Sequence, residues 1–205
     1  MTAIKVCGLT CIEDVDVCLS VGVEAIGLNL VPASPRRVDL TVARDLAAFV
    51  GRRALVVIVV ADLDAKEAAR LRDEVGARCV QLHGDESPET VAALLPHAYK
   101  ALRIGGPDDV GAADRYPGDH VLVDARVAGV LGGSGATFDW SLVEGLARRR
   151  RLTLAGGLRP ENIAEAVRKV RPFCVDVASG VERPSDPRRK HPARIEAFVR
   201  AARRS

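Results

Sequence analysis

Short apolar runs alternate with amphipathic segments along the whole chain of 205 residues. The clearest run, Leu55–Val60, consists only of Leu, Val and Ile, as is typical of a parallel strand that is covered on both faces. Similar runs recur from one end of the chain to the other. The predicted strands are Ile4–Cys7, Ala25–Leu30, Ala54–Val60, Cys79–His83, Tyr99–Arg103, His120–Asp124, Leu152–Ala155 and Cys174–Val177.

The segments between these runs carry the signals of helix ends. Thr10 and Asp64 each stand three residues before a glutamate, which predicts a capping box at two helix starts. Gly22 and Gly76 follow at the expected helix ends. Further start signals are Ser87-Pro88, Asp139, Arg159-Pro160 and His191-Pro192.

Eight strands, each followed by a helix at a spacing of roughly 25 residues, predict an α/β fold, a single closed (β/α)8 barrel. A doubly wound open sheet is the alternative, but it needs fewer strands. No domain boundary is evident, so residues 1–205 are predicted to form one domain. The longest irregular stretches, Arg126–Phe138 and Ser179–His191, both follow strands, where such barrels keep their functional loops.

Composition narrows the class of protein. The chain is 48% hydrophobic but only 3% aromatic, so its core must be aliphatic. No apolar run approaches the roughly 20 residues of a membrane helix, and the N-terminus lacks the pattern of a signal peptide. We therefore expect a cytoplasmic protein without a membrane partner.

Cysteine usage and charge exclude further classes. The five cysteines are an odd number, and Cys7 and Cys11 are too widely spaced for a zinc knuckle, so we expect neither a disulfide framework nor a metal. The net charge of +3 is small. The basic runs Arg148–Arg151 and Arg188–Lys190 lack interleaved aromatic residues, so we interpret them as solvated surface rather than a nucleic-acid site. A mildly basic chain suits a small anionic substrate.

The barrel prediction brings several polar residues to one rim, because the active site of this fold lies at the C-terminal ends of the strands. These residues are Cys7, Arg36, Arg37, Gln81, His83, Asp124, Gly156, Gly157, Ser179 and Gly180. Each alone has an ordinary structural explanation, such as a small buried side chain for Cys7 or a helix cap for Asp124. Together, an acid and a base on different strands could move a proton from a sugar carbon to an oxygen. Glycine-rich turns after the last two strands could bind phosphate.

Seven ordered motifs are together specific for one family, and they extend from the start of the chain to about Val199. They are Lys5-Val6-Cys7-Gly8-Leu9-Thr10, Ser34-Pro35-Arg36, Val80-Gln81-Leu82-His83-Gly84-Asp85-Glu86, Asp124, Gly132-Gly133-Ser134-Gly135 with Phe138-Asp139-Trp140, Ala155-Gly156-Gly157-Leu158 with Pro160-Glu161-Asn162, and Val175-Asp176-Val177-Ala178-Ser179-Gly180-Val181-Glu182. This series resembles phosphoribosylanthranilate isomerase.

The resemblance implies an aldose–ketose isomerase of tryptophan biosynthesis, a (β/α)8 barrel that uses no cofactor. Asp124 would be the general acid that opens the sugar ring, and Cys7 the general base at C2. Arg36 would hold the anthranilate carboxylate. Backbone groups around Gly157, Ser179 and Gly180 would hold the phosphate. The other positions that match the pattern are Gln81, His83, Gly156 and Asp176, which are predicted to line the substrate site without a chemical step.

Some positions depart from the family's pattern. Arg37 stands where an aromatic residue is frequent, and Ala178 where serine is common. Residues 183–191 lack the usual glycine and lysine–aspartate pairing. These departures leave the predicted base and acid in place.

Alternative functions remain open at this point. The bifunctional isomerase shared between histidine and tryptophan synthesis has aspartate where Cys7 stands, which argues against that family. A metal-dependent epimerase would need several metal-binding histidines at strand ends, and the four scattered histidines of this chain do not supply them. A catalytically inactive barrel that only binds a phosphorylated ligand is the main alternative, since fold alone does not prove activity. The chain is expected to be a monomer or a homodimer.

Overall fold

Eight parallel strands close into a barrel in the order in which they occur in the sequence. The structure is a computed structural model that describes residues 1–125 and 138–204. The strands are β1 (Ala3–Cys7), β2 (Ala25–Asn29), β3 (Leu55–Val60), β4 (Cys79–Leu82), β5 (Ala98–Ile104), β6 (His120–Ala125), β7 (Arg151–Leu154) and β8 (Cys174–Val177). Because β1 pairs with both β2 and β8, the sheet has closed and the open-sheet alternative is excluded. The predicted strands are all present, with ends within one residue of those observed.

Helices connect successive strands on the outside of the barrel. They are α1 (Ile12–Ser20), α2 (Leu40–Val50), α3 (Ala65–Val75), α4 (Pro88–Leu94), α5 (Pro107–Gly111), α6 (Glu144–Arg149), α7 (Ile163–Val170) and α8 (Pro192–Arg203). Their apolar faces pack on the outward-facing Val, Ile and Leu side chains of the strands, which form the main core. None of the described helices is both long enough and apolar enough to cross a membrane.

Three of the predicted helix caps are present. The side chains of Asp64 and Ser87 accept hydrogen bonds from the backbone N–H groups of Glu67 and Thr90, at the starts of α3 and α4. The second half of the capping box predicted at Asp64 is not formed, because the Glu67 carboxylate accepts from Arg70 instead. Asp139 accepts from the N–H of Ser141 and caps a short 3-10 helix, Trp140–Val143, that precedes α6. Polar side chains at these positions therefore act locally, as the sequence predicts.

Two predicted helix starts are wrong. Cys11, not Thr10, is the N-cap residue of α1, because the Thr10 hydroxyl donates a hydrogen bond to the carbonyl of Arg188 instead. The helix predicted to begin at Pro160 begins at Ile163. There, Asn162 holds a preceding turn by accepting from the N–H of Arg159 and donating to the carbonyl of Gly157.

The stretch Ser179–His191, predicted to be irregular, is ordered. A 3-10 turn, Ser179–Val181, leads into an antiparallel hairpin of β9 (Glu182–Arg183) and β10 (Asp186–Lys190). The hairpin is anchored by charged groups, because the Lys190 N–H donates to Asp14 and the Lys190 ammonium pairs with Glu182. The pattern of apolar residues, from which the strands were predicted, gives no sign of a hairpin that is held by charged contacts. The other predicted irregular stretch, Arg126–Phe138, lies outside the described residues except for Phe138.

Aromatic rings fill the interior of the barrel near its N-terminal end. The Tyr99 ring stacks on the His120 imidazole at a centroid distance of 4.2 Å. His120 Nε2 lies 2.7 Å from the hydroxyl of Thr153. Burial, together with the charge of Arg151, lowers the pKa of His120 to about 4.

We predict that His120 makes the fold acid-sensitive. Its folded-state pKa lies below the ordinary value near 6.5, so the neutral form is favoured by folding. This stabilisation is present above pH ~6.5 and is lost as the pH falls towards 4. Between pH 7 and 4.5 the unfolding free energy of the parent should therefore fall by about 2 kcal/mol more than that of His120→Gln. Urea denaturation measures both, and an equal fall in the two proteins would contradict this role.

Candidate active site

The C-terminal ends of the strands open into a cavity of about 350 Å³. The predicted site residues that line it are Cys7, Arg36, Gln81, His83, Asp124, Gly156, Gly157, Asp176 and Ser179. Gly180 follows Ser179 in the 3-10 turn after β8. The barrel fold therefore brings these residues, which are far apart in the sequence, to one cavity, as predicted.

Cys7 ends β1 and is buried against Val31 and Val59. The facing residue on β2 is Gly27, where a Cβ atom would lie only 2.7 Å from the sulfur. Burial raises the pKa of the Cys7 thiol, and the positive charge of Lys5 lowers it only in part. Burial thus favours the thiol form of Cys7 at neutral pH, and any reaction that uses Cys7 as a base must favour the thiolate.

Asp124 lies near the end of β6, which β7 and β8 separate from β1. Its carboxyl group is buried, with Oδ1 accepting from the N–H of Ala125 at 2.8 Å. Gly156 makes room for this arrangement: its φ is +88°, and a Cβ there would lie 2.5 Å from the Ala125 nitrogen and 3.0 Å from Asp124 Oδ1. Only glycine fits both the backbone angle and the space. The carboxyl group is thus held at the edge of the cavity.

Arg36 is held in place by a buried acidic partner. Its Nε and Nη2 donate to the two carboxylate oxygens of Glu182, at 2.5 and 3.1 Å. Lys190 Nζ, fully buried, donates to Glu182 Oε1 at 2.9 Å and to the carbonyl of Ala178 at 3.2 Å. Although burial alone would raise the pKa of Glu182, these cationic partners hold it below its ordinary value. Arg36 can therefore present its guanidinium to the cavity in a defined plane.

The hairpin also holds the loop that carries Arg36. The Arg188 guanidinium donates to the carbonyls of Pro35 and Arg37, on either side of Arg36. On the other side, the Thr10 hydroxyl donates to the carbonyl of Arg188. The interpretation of the basic run Arg188–Lys190 as solvated surface is therefore wrong: Arg188 holds the Arg36 loop, and Lys190 is buried. Sequence reasoning missed Lys190 because nothing in its neighbourhood distinguishes a buried lysine from an exposed one.

A buried polar network lies beneath the cavity. Lys5 Nζ is 2.6 Å from Asp176 Oδ2 and 3.0 Å from Gln81 Oε1, and the Tyr99 hydroxyl donates to the same Gln81 oxygen at 3.0 Å. Burial alone would lower the pKa of Lys5, but the Asp176 carboxylate holds it well above the ordinary value, so Lys5 is an ammonium. Asp176 Oδ1 is buried and has no hydrogen-bond partner among the described residues. Lys5 and Tyr99 were not among the predicted site residues.

The turns after β7 and β8 touch each other at the rim. Gly157, with a φ of +63°, lies in the first turn, and Ser179 and Gly180 lie in the second. A Cβ on Gly180 would lie 1.9 Å from the carbonyl oxygen of Leu158, so a side chain cannot fit there. This close approach brings the backbone of both turns to one side of the cavity.

Comparison with known proteins identifies the family. A sequence model described as N-(5′-phosphoribosyl)anthranilate (PRA) isomerase matches residues 4–201. The chain belongs to this isomerase family. It is 45% identical to the N-(5′-phosphoribosyl)anthranilate isomerase of Myxococcus xanthus over 208 aligned residues, which covers 98% of this chain and 95% of the relative.

Solved structures of isomerases from this family have the same fold. One is a phosphoribosyl anthranilate isomerase in complex with reduced 1-(o-carboxyphenylamino)-1-deoxyribulose 5-phosphate, with a TM-score of 0.89 and 31% identity over the whole of both chains. Another contains monomers generated from the dimeric isomerase of Thermotoga maritima, with a TM-score of 0.87 and 30% identity, again over both whole chains. The family resemblance inferred from the motifs is therefore confirmed.

The described part of the chain contains no group of three His, Cys, Asp or Glu side chains that could hold a metal ion. Residues 126–137, which include the Gly132–Gly135 motif, lie outside that part. The expectation that this isomerase needs no metal or cofactor stays a prediction.

We predict that Cys7 reacts with iodoacetamide only at high pH. The thiolate is the reactive form, and burial should move its alkylation midpoint above the value near 8.5 of a free thiol. Mass spectrometry of the Cys7 peptide measures the rate across the pH range, and a peptide of residues 5–10 provides the matched free thiol. A midpoint in the protein at or below that of the peptide would show that Lys5 outweighs burial.

Proposed function

We propose that the chain converts N-(5-phosphoribosyl)anthranilate to 1-(2-carboxyphenylamino)-1-deoxyribulose 5-phosphate, the Amadori-type step of tryptophan biosynthesis. The observation that carries this proposal is one cavity that holds a buried thiol, a buried carboxyl group and a fixed guanidinium. Cys7 and Asp124 lie on different strands and face the same space. That arrangement suits a reaction in which one proton is delivered and another is removed at neighbouring atoms.

Asp124 is the general acid in this proposal. It donates its proton to the ring oxygen of the ribose as the bond between that oxygen and C1 breaks. The lone pair of the anthranilate nitrogen forms the C=N bond of a cationic Schiff base, and Asp124 becomes a carboxylate. The hydrogen bond from the Ala125 N–H stabilises the negative charge that develops on the carboxyl group.

Cys7 is the general base. Its thiolate removes the proton from C2, and the electron pair of that bond forms a C1=C2 double bond while the nitrogen recovers its lone pair. The resulting enolamine becomes the ketone when C1 gains a proton and the C2 hydroxyl loses one. Although burial disfavours the thiolate, the positive charge of the Schiff base lies next to C2 and favours it at the moment it is needed. Lys5 acts in the same direction.

The remaining residues hold the substrate at its two charged ends. Arg36 binds the anthranilate carboxylate, which its planar fork fits, while Glu182 keeps the guanidinium in place. The backbone around Gly157, Ser179 and Gly180 binds the phosphate. Between these ends, Asp176 Oδ1 is a buried acceptor without a described partner and suits a sugar hydroxyl. Gln81, His83 and Gly156 complete the wall of the cavity.

Several finer points belong to the same proposal. Residues 1–205 act as one isomerase domain that binds a small-molecule substrate, with no cofactor, nucleic acid or membrane partner. The chain is a monomer or a homodimer, and the dimeric isomerase from Thermotoga maritima supports the homodimer. A cytoplasmic location stays a prediction from the sequence.

Turnover of freshly generated phosphoribosylanthranilate, followed by its fluorescence, tests the proposal. We expect the parent to consume it, and Cys7→Ala and Asp124→Asn each to lose roughly a hundred-fold or more in kcat, as is typical when an acid or base is removed. Cys11→Ala and Asp119→Asn are matched controls, because Cys11 and Asp119 lie outside the cavity, and they should keep the parental rate.

Two outcomes would contradict the assignment. Near-normal turnover by a folded Cys7→Ala or Asp124→Asn protein would remove that residue from the mechanism. A folded parent that binds inorganic phosphate without consuming the substrate would instead support a barrel that only binds phosphorylated ligands.

A further inference from the structure

A line of buried polar contacts crosses the floor of the cavity and ends at Asp124. Lys5 Nζ lies 3.0 Å from Gln81 Oε1, and Gln81 Nε2 lies 2.7 Å from His83 Nδ1. On the far side of the ring, His83 Nε2 lies 3.6 Å from Asp124 Oδ2. Gln81, His83 and Asp124 are all buried, which limits competition from water for these contacts.

The Lys5 ammonium fixes which group donates and which accepts in each hydrogen bond from Lys5 to His83. An ammonium can only donate, and the Tyr99 hydroxyl donates to the same oxygen, so the carbonyl end of the Gln81 amide must face Lys5. The amide nitrogen of Gln81 therefore faces His83. Because that nitrogen can only donate, His83 Nδ1 must accept and cannot carry a proton.

The ring proton of a neutral His83 is then confined to Nε2, which is the nitrogen on the cavity side. Nε2 is buried and has no hydrogen-bond partner within the described parts of the chain. A buried donor without a partner is costly, so this N–H has a strong preference for an acceptor. Asp124 Oδ2 is the acceptor nearest to it in this network, and the separation of 3.6 Å can shorten when substrate binds.

We infer that Lys5 and Gln81 lock His83 as the Nε2–H tautomer, and that this N–H stabilises the Asp124 carboxylate left after proton donation. The inference rests on the proposed function, in which Asp124 is the general acid. Oδ1 already accepts from the Ala125 N–H, and His83 Nε2, at 3.6 Å, is placed to become the matching donor to Oδ2. This hydrogen bond forms as negative charge develops on Asp124, and it therefore lowers the barrier more than it stabilises the protonated ground state.

His83 is then a positioning residue rather than an acid or a base. A second proton on the ring would have to sit on Nδ1 and would break the hydrogen bond from Gln81. The ring can orient and stabilise Asp124, but it does not exchange protons with the substrate.

The tautomer can be measured directly, without turnover. Nitrogen-15 NMR of the parent should show an unprotonated Nδ1 and a protonated Nε2 for His83 at neutral pH. The chain has four histidines, and loss of one pair of signals in His83→Asn assigns them. A protonated Nδ1, in either the other tautomer or the imidazolium, would overturn the inference.

Kinetics of two substitutions test the role of the donor. His83→Asn keeps an acceptor for Gln81 but has no donor at the Nε2 position, so kcat should fall roughly ten- to a hundred-fold with little change in KM. His83→Gln places an amide N–H near Nε2 and should recover part of that loss. The matched control is His97→Gln, because His97 is exposed and lies outside the cavity, and it should behave like the parent.

An unchanged kcat in His83→Asn would overturn the role of His83 as a donor to Asp124. An effect confined to KM would overturn it too, because it would mean that His83 binds substrate instead. A parent that shows no turnover would contradict the proposed function and with it the role given to Asp124. The NMR measurement would still decide the tautomer, so the two failures are distinguishable.

Discussion

The buried ion pair between Lys5 and Asp176 is the interaction on which the polar interior of this barrel depends. Removing an ammonium or a carboxylate from water costs roughly several kcal/mol for each ion, and only close pairing with further hydrogen bonds offsets that cost. Here they lie 2.6 Å apart beneath the cavity, and Gln81 takes a further hydrogen bond from the ammonium. The same positive charge opposes the effect of burial on the Cys7 thiol. One lysine thus influences the predicted base directly and the predicted acid through Gln81 and His83.

A second set of charges organises the other side of the mouth. Glu182 lies between Arg36 and Lys190 and pairs with both, so its negative charge offsets part of the two positive charges that lie close to the cavity. The hairpin of β9 and β10 supplies Glu182 and Lys190, and Arg188 from the same hairpin holds the loop that carries Arg36. The position of the predicted carboxylate-binding residue therefore depends on a segment more than 140 residues away in the sequence.

The sequence predicted the barrel because its strands are continuous apolar runs and its helices carry strong local caps such as Asp64. The helix starts predicted at Thr10 and Pro160 were wrong. The Thr10 hydroxyl binds the distant carbonyl of Arg188 instead of capping α1, and a turn held by the Asn162 side chain delays the start of α7. Cys7, Arg36 and Asp124 could be placed at one rim by the rule that strand ends converge. The residues that pair with them in the interior could not be predicted. Lys5 and Asp176 are 171 positions apart in the sequence, and nothing in the sequence around Lys190 indicates that it is buried. The chemical roles of these residues remain predictions.

A crystal structure with reduced 1-(o-carboxyphenylamino)-1-deoxyribulose 5-phosphate tests most directly the claim that this cavity holds the substrate between Cys7 and Asp124. We expect the ligand's carboxylate on Arg36 and its phosphate against the backbone of Gly157, Ser179 and Gly180. Its C2 atom should lie in van der Waals contact, within about 4 Å, of the Cys7 sulfur. A ligand bound outside the cavity, or one whose C2 points away from Cys7 while its charged ends are held elsewhere, would contradict that claim.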